Sequence, residues 1–309
     1  MTKQIGVIAD IHSNYTAFRT AVEYMEQRGI TEYFLLGDFV TDTTDTAETM
    51  QYIRELMDRY EVRLLRGNRE DYIIQQRKAL RGEVEASEWI YNSASGNLKY
   101  AYDLLTDEDI DLFESLPITF TYECEGYPSI VCCHGSPESD RELLYVGGKN
   151  TRDWLQKIEA DYLIAAHTHY QGEWQCEGKK YFNTGACGIA IATPGKAQCL
   201  ILHGRDGSEP EGAGWDAEFL QLPYDVDYVV NALYEKGLME KGKWFISNNI
   251  FTLRTGADYT PELVNTAMEL QEKDTGKPVV WPYIEEEYFA QSAKILGIPE
   301  YRDKESNHI

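Results

Sequence analysis

Basic residues are scarce in this chain: 29 lysines and arginines face 52 aspartates and glutamates in 309 residues, a formal charge of −23. A surface of that sign repels phosphodiester backbones, so a nucleic-acid polymer is not an expected partner. No apolar run approaches the roughly 18 residues of a membrane-spanning helix. Met1–Gln4 passes straight into the short run Ile5–Ala9, without the pattern of a secretory leader. The six cysteines (124, 132, 133, 176, 187 and 199) contain no Cys-x-x-Cys pair, which removes the usual zinc and redox spacings. Reduced thiols in a cytoplasmic protein are expected, with Cys132 and Cys133 as small buried hydrophobes. Disorder is excluded by 43% hydrophobic and 12% aromatic residues. The acidity is spread along the chain, with 20 acids and 10 bases from Arg205 onward. It reads as a solvated surface.

Through the first two hundred residues, short apolar runs alternate with helical spacing. Ile5–Ala9 predicts a strand; Phe18, Ala21, Val22 and Met25 recur at helical intervals, with Ser13 or Asn14 as cap and Gly29 as terminator. Tyr33–Leu36, a helix through Met50, Ile53 and Met57, and Val62–Leu65 complete a βαβαβ opening, which argues for parallel strands covered by helices. Residues 72–116 read as a helical insertion, with Thr106 and Asp109 spaced as a capping box. Strands are predicted at Ile118–Tyr122, Ser129–Cys133 and Tyr162–Ala166, with a helix over Thr151–Ile158. Five shorter segments, Tyr170–Cys176, Tyr181–Asn183, Gly188–Thr193, Cys199–His203 and Glu218–Leu222, suggest a second, largely antiparallel sheet. Gly204–Gly214 reads as a surface loop, and residues 225–309 as a helical C-terminal extension with helices at Val226–Tyr234, Pro261–Gln271 and Ile284–Leu296.

The chemistry lies in the residues delivered by the end of each strand. IGVIA leads to Asp10 and His12, YFLLG to Asp38, VRLLRG to Asn68, SIVCC to His134, and YLIAA to His167 and His169. Carboxyl ends of strands are where open α/β sheets place their sites. Only six histidines exist, and four of them lie at these ends; His203 and His308 are left over. Seven oxygen and imidazole donors are too many for one ion and fit two that share a carboxylate, with Asp38 as the natural bridge. Residues i and i+2 of an extended segment point the same way, so Asp10 with His12, and His167 with His169, can each enter one pocket. Imidazole and carboxylate donors without thiolate favour Mn, Fe, Zn, Co or Ni over Ca or Mg. A lone strand-end Asp or His is more often a cap or turn residue, but five such ends together are poorly explained that way.

The series DIHSN, GD, GNRE, CHGSP and AHTH resembles the calcineurin-like binuclear metallophosphoesterases. Within that family, DIHSNYTAF with the downstream LPYD is most similar to bacterial members described as serine/threonine phosphatase-like or diadenosine tetraphosphatase-like. The resemblance implies a four-layer α/β/β/α sandwich over residues 1–224, followed by the extension at 225–309. It implies Asp10, His12, Asp38 and His169 on one ion and Asp38, Asn68, His134 and His167 on a second. Asn14, Gly135 and Asn183 would be supporting residues. It further implies a cytoplasmic hydrolase attacking phosphorus in a small phosphorylated substrate with a hydroxide bridging two divalent transition-metal ions, with Asp38, Asn68 and Arg69 in catalytic positions.

Two residues depart from the family pattern. Ala166 stands where a glycine is usual, and Arg69 where many members carry the histidine of GNH. Arginine stays protonated and is a poor general acid, yet its planar fork suits a phosphate oxygen. The expected consequence is a preference for good leaving groups, unless Arg69 faces solvent or pairs with Glu70 or Asp71. Dinucleoside polyphosphates, phosphodiesters, phosphoproteins and small phosphomonoesters all suit the same core. A noncatalytic metal-binding or interaction protein on this fold is the alternative from a different class. Tyr15, Tyr72 and Tyr170 adjoin the motifs and could stack a base, although packing is the plainer role.

Overall fold

The computed structural model describes residues 3–85, 87–208 and 212–301. His308 and part of the Gly204–Gly214 loop lie outside them. The opening is β1 (Gln4–Ile8), α1 (Tyr15–Gln27), β2 (Glu32–Leu36), α2 (Thr46–Arg59) and β3 (Glu61–Leu65), with β1, β2 and β3 parallel. Asn14 caps α1 by accepting from Ala17 N at 3.1 Å. Three helices follow, α3 (Asn68–Leu80), α4 (Gly96–Tyr102) and α5 (Asp107–Ser115), the last opened by the Thr106–Asp109 capping box. Next come β4 (Thr119–Cys124), β5 (Tyr127–Cys133), α6 (Lys149–Lys157), β6 (Tyr162–Ala165), β7 (Gly172–Cys176) and β8 (Lys179–Asn183), then β9 (Lys196–Arg205) and β10 (Gly214–Pro223). The extension holds α7 (Val226–Glu235), α8 (Leu238–Thr255), α9 (Thr260–Thr275) and α10 (Glu286–Leu296).

Two five-stranded sheets result, in the orders β10-β9-β1-β2-β3 and β4-β5-β6-β8-β7. Alternation along each strand sorts the side chains into layers. Ile5, Val7 and Ala9 face the second sheet and pack with Ile130, Cys132, Ile164 and Phe182. Ile8 and Leu35 face the other way, onto Phe18, Val22 and Ile53 of α1 and α2. On the outer face of the second sheet, Cys133, Leu163 and Tyr181 pack with Trp154 and Leu155 of α6. The layers run α/β/β/α. All six cysteines are free thiols, and Cys132 and Cys133 are buried, as their composition implies.

The sheet membership differs from the sequence expectation. β9 and β10 join the first sheet antiparallel, next to β1, and the second sheet is mixed, because β5, β6 and β8 run parallel. Gly188–Thr193 forms no strand. Its start bonds instead to the end of β1, with Cys187 N donating to Ala9 O at 2.9 Å and Gly188 N to Asp10 O at 2.8 Å. A side chain at 188 would lie 1.9 Å from Ile11 O, so only glycine permits that approach. Helix α8 has no counterpart in the expectation, since buried Ser247, Asn248, Asn249 and Thr252 interrupt its apolar spacing. Its Ile250 and Phe245 share a core with Tyr100 and Ile189, and Ala94 packs among residues of α9 and α10. The extension therefore shares its cores with the preceding residues. No helix among the described residues is long and apolar enough to cross a membrane.

Candidate metal centre

All seven strand-end donors converge at one edge of the sandwich. Asp10 and His12 follow β1, Asp38 follows β2, Asn68 opens α3 after β3, His134 follows β5, and His167 and His169 follow β6. Five of them take left-handed backbone angles: φ is 51° at Asp10 and His12, 53° at Asp38, 64° at His167 and 58° at His169. Non-glycine residues rarely adopt that region, at a cost on the order of 1–3 kcal/mol each. Neighbouring backbone holds them there. Asp10 N donates to Gly37 O at 3.1 Å, His12 N to Asp38 O at 2.9 Å, and His167 N to the Asp10 carboxylate at 3.0 Å.

Two groups of donors form, Asp10 with His12 and His169, and Asp38 with His134 and His167. Asp38 sits between them: Oδ1 is 3.4 Å from His134 Nε2 and Oδ2 is 3.9 Å from His12 Nε2. Asn68 Oδ1 approaches His134 Nε2 at 3.1 Å. Asp10 Oδ1 is fully buried without a hydrogen-bond partner, 3.5 Å from His169 Nε2 and 3.9 Å from His134 Nε2.

The outer nitrogens of three imidazoles face acceptors. His134 Nδ1 lies 2.8 Å from Leu36 O, His169 Nδ1 2.9 Å from Ile189 O, and His12 Nδ1 3.0 Å from Asp42 Oδ2. A proton on Nδ1 of His134 and of His169 leaves their Nε2 atoms with lone pairs aimed inward, while His12 Nδ1 lies near Asp42 outside hydrogen-bond geometry. His12 Nε2 and His169 Nε2 then face each other at 3.1 Å, and His134 Nε2 faces two oxygens. Inward lone pairs beside two buried carboxylates fit a cation. Where a proton takes the place of that charge, burial opposes it on His134, yet Asp38 and Asp10 hold the His134 pKa up to about 10. Burial and the neighbouring His134 push His167 down to about 4.

Glu70 ties two motif loops together. Its Oε2 accepts from Asp38 N and Gly67 N and its Oε1 from Phe39 N, each at 2.8 Å. Burial, then the Asp38 charge, raises its pKa to about 7 against the pull of these donors. Gly67 belongs to the same junction, where a Cβ would lie 2.2 Å from Asp38 Oδ1. Glu70→Gln turns an amide NH₂ toward at least one N–H, so unfolding free energy should fall by about 2–3 kcal/mol. Denaturant titration checks this, and a loss below about 0.5 kcal/mol would show the loops stand without the carboxylate.

Arg69 faces the site and pairs with neither Glu70 nor Asp71, contrary to one sequence expectation. Its Nη2 lies 2.9 Å from Asp42 Oδ2 and its Nε 3.9 Å from Asp38 Oδ2, while Asp71 pairs with Arg141. Burial opposes the Arg69 charge, but Asp42 and Asp38 outweigh it and raise the pKa. Asp42 is buried as well; Arg69 and His12 hold it down to about 2 against that burial, and Asn97 adds a hydrogen bond to Oδ1.

A calcineurin-like phosphoesterase family model matches residues 3–171, more than half of the chain and every one of the seven donors. The chain belongs to the calcineurin-like phosphoesterase family. A structure from Pyrococcus horikoshii, described as a hypothetical protein, is 20% identical with a TM-score of 0.67, covering 82% of this chain and 99% of its own. A metallophosphoesterase from Sphaerobacter thermophilus is 19% identical with a TM-score of 0.62, covering 83% and 100%. An uncharacterised protein of Methanocaldococcus jannaschii is 22% identical over 251 residues, 76% of this chain and 94% of that protein. At these identities the structural likenesses concern the fold. Family membership together with the two donor groups makes this a metal-dependent phosphoesterase in general terms.

In this calcineurin-like phosphoesterase the supporting residues predicted from sequence hold loops and not the donors themselves. Asn14 Nδ2 donates to Gly188 O at 2.7 Å, and Asn183 Nδ2 to Ala166 O at 3.0 Å and Thr168 Oγ1 at 3.1 Å. Gly135 lets the chain after His134 pass the 139–142 turn, where a Cβ would meet Ser139 O at 2.7 Å. Ala166 fits in place of the usual glycine, its methyl buried in the inter-sheet core. Sequence reasoning gave no role to Asp42, Asn97, Asn249 or Asp258. Asn249 Nδ2 donates to Asp42 O at 2.9 Å, and Asn249 and Asp258 both line the cleft over the donors. None of the described residues between 72 and 116 lines it.

Proposed function

We propose that this protein hydrolyses a small phosphorylated substrate with two divalent transition-metal ions (Mn, Fe, Zn, Co or Ni). Asp10, His12, Asp38 and His169 would hold one, and Asp38, Asn68, His134 and His167 the other. The observation carrying this reading is the placement of Asp38 between two groups of inward-facing donors, with the Arg69 guanidinium in the same cleft. When bound, the ions supply Lewis-acid polarisation of a phosphoryl oxygen and a water acidified toward neutral pH.

The chain's own residues do the rest. Arg69, oriented by Asp42, offers its fork to a non-bridging phosphoryl oxygen and neutralises charge that grows in the transition state. It does not protonate the departing oxygen. Asp42 also lies 3.0 Å from His12 Nδ1, so one carboxylate neighbours both a ligand residue and the clamp. An acidic chain whose positive charge is confined to the two ions and Arg69 suits a small phosphate compound in the cytoplasm and not a nucleic-acid polymer. We take residues 1–224 as the phosphoesterase domain and 225–309 as an extension that contributes to the cleft wall.

The test is turnover of phenyl phosphate, a phosphodiester and a dinucleoside polyphosphate by manganese-loaded protein, with metal analysis of the protein as purified. We expect hydrolysis of at least one of them, lost on adding chelator and regained with metal. No chelator-sensitive turnover across this panel would favour a noncatalytic metal-binding protein.

A further inference from the structure

The cleft over the donors, about 290 Å³, is lined by two unlike sets of residues. One set is Leu143, Tyr145 and Tyr170, which are 41%, 45% and 46% exposed. Large apolar side chains clustered in this way beside a site call for an occupant. The two tyrosine rings lie 6.1 Å apart at 58°, forming an apolar corner open to the cleft. Their support is rigid although the rings are exposed. Tyr145 O accepts from Thr151 Oγ1 at 2.6 Å and Gly148 N at 2.9 Å; Leu144 is fully buried, with its carbonyl bonded to the Tyr181 hydroxyl. Tyr170 follows His169 directly, so the corner is fixed relative to the donors.

The extension adds Asp258 and Glu262 to the lining, and Glu262 helps raise the pKa of Tyr145, after burial and Tyr170. Among the described residues lining the cleft, Arg69 is the one arginine or lysine, and Asp42 already engages it. At the start of α9, Asp258 Oδ1 accepts from Thr260 N at 3.1 Å and from Thr260 Oγ1 at 2.7 Å, and Pro261 has no N–H to offer. Beyond the donors and Arg69, no cationic group among these lining residues awaits a second phosphate.

We propose that the cleft takes a phosphate ester with one phosphoryl group and an uncharged aromatic ring, the ring seated on Tyr145 and Tyr170. This rests on the phosphoesterase reading of the site. It disfavours dinucleoside polyphosphates, whose further phosphates would face Asp258 and Glu262.

Binding of non-hydrolysable phosphonates to manganese-loaded protein, measured by calorimetry, tests it. Phenyl- and 3-phenylpropylphosphonate are compared with methyl- and propylphosphonate, so that the reach of the ring is covered. At one length or both, the aromatic compound should bind about 10-fold tighter than its alkyl counterpart, the size typical of one stacked ring. The Tyr145→Ala/Tyr170→Ala double variant should lose that preference and keep methylphosphonate affinity within about 2-fold, while the Tyr→Phe pair retains it. A carboxyl group at the para position of phenylphosphonate should weaken binding about 3-fold, less in Glu262→Gln. Equal aromatic and alkyl affinity at both lengths, or a preference surviving in the alanine pair, overturns the aromatic seat. Tighter binding of the carboxylated compound overturns the single-charge restriction. Failure of every phosphonate to bind overturns the aromatic seat as well; each of these failures leaves the phosphoesterase reading standing, since that is judged on chelator-sensitive turnover and falls only if that turnover is absent.

Discussion

Asp38→Asn should lower chelator-sensitive turnover by at least ~10³-fold in a protein that still folds. The shape is kept, and the amide oxygen can still accept from Arg69 N, a bond of 2.8 Å. The charge between the two donor groups is lost, and an NH₂ now occupies a position facing His134 or His12 lone pairs. Removing one preorganised electrostatic group from an active site costs ~10²–10³-fold, and this carboxylate faces both groups at once. Metal content should fall as well, to one ion or none per chain. Turnover of phenyl phosphate with metal analysis of the same sample checks it. A variant that kept two ions and lost less than ~10-fold in rate would end the role of Asp38 as the shared ligand.

Arg69→Ala is expected to reduce kcat/KM by ~10²–10³-fold, and to do so equally for aryl and alkyl esters. Equal loss is the signature of a clamp, since arginine gives no proton to either leaving group. The wild-type protein should accordingly hydrolyse aryl phosphates far faster than alkyl phosphates. Arg69→His places a titratable donor at the same helix start and should narrow that gap, because a positioned general acid contributes typically ~10²–10⁴-fold where the leaving group needs protonation. Rates on a series of leaving groups of graded pKa, for the three proteins, decide it. Equal wild-type rates on alkyl and aryl esters, or a loss below ~3-fold in Arg69→Ala, would remove Arg69 from the chemistry. The Arg69 side chain has a fixed partner, because Asp42 is held by Asn97 from α4 and by Asn249 from α8.

The seven donors were legible in the sequence because each follows a short apolar run, and a parallel strand delivers its next residues to one edge. The helix-covered strands were legible for the same reason of period, but not their division between the two sheets. What escaped depends on contacts distant in sequence. Asp42 lies in a run of threonines and aspartates without a motif of its own, and its neighbours His12, Arg69, Asn97 and Asn249 come from four separate parts of the chain. Glu70 stands inside a motif, but its three backbone partners appear only when two loops are brought together. Tyr145 is separated from every motif by a loop, whereas Tyr170 adjoins one; both line the cleft, and Tyr15 and Tyr72 do not. The partner of β1 was misread because hairpin spacing shows that β9 and β10 pair with each other and not which sheet they join.

The place of β1 at the centre of its sheet also sets an order of events during synthesis. One edge of β1 pairs with β2, about thirty residues on, but the other pairs with β9, Gln4 opposite His203. All seven donors emerge by residue 169, while the strand that seats the first two still has a bare edge. Contacts of such separation form late, since the chain between must be closed first. Any ion captured by the emerging donors meets a loose chelate, and the cleft acquires its remaining lining only when Asn249 and Asp258 arrive. In this molecule the donors are early and the finished cleft is late.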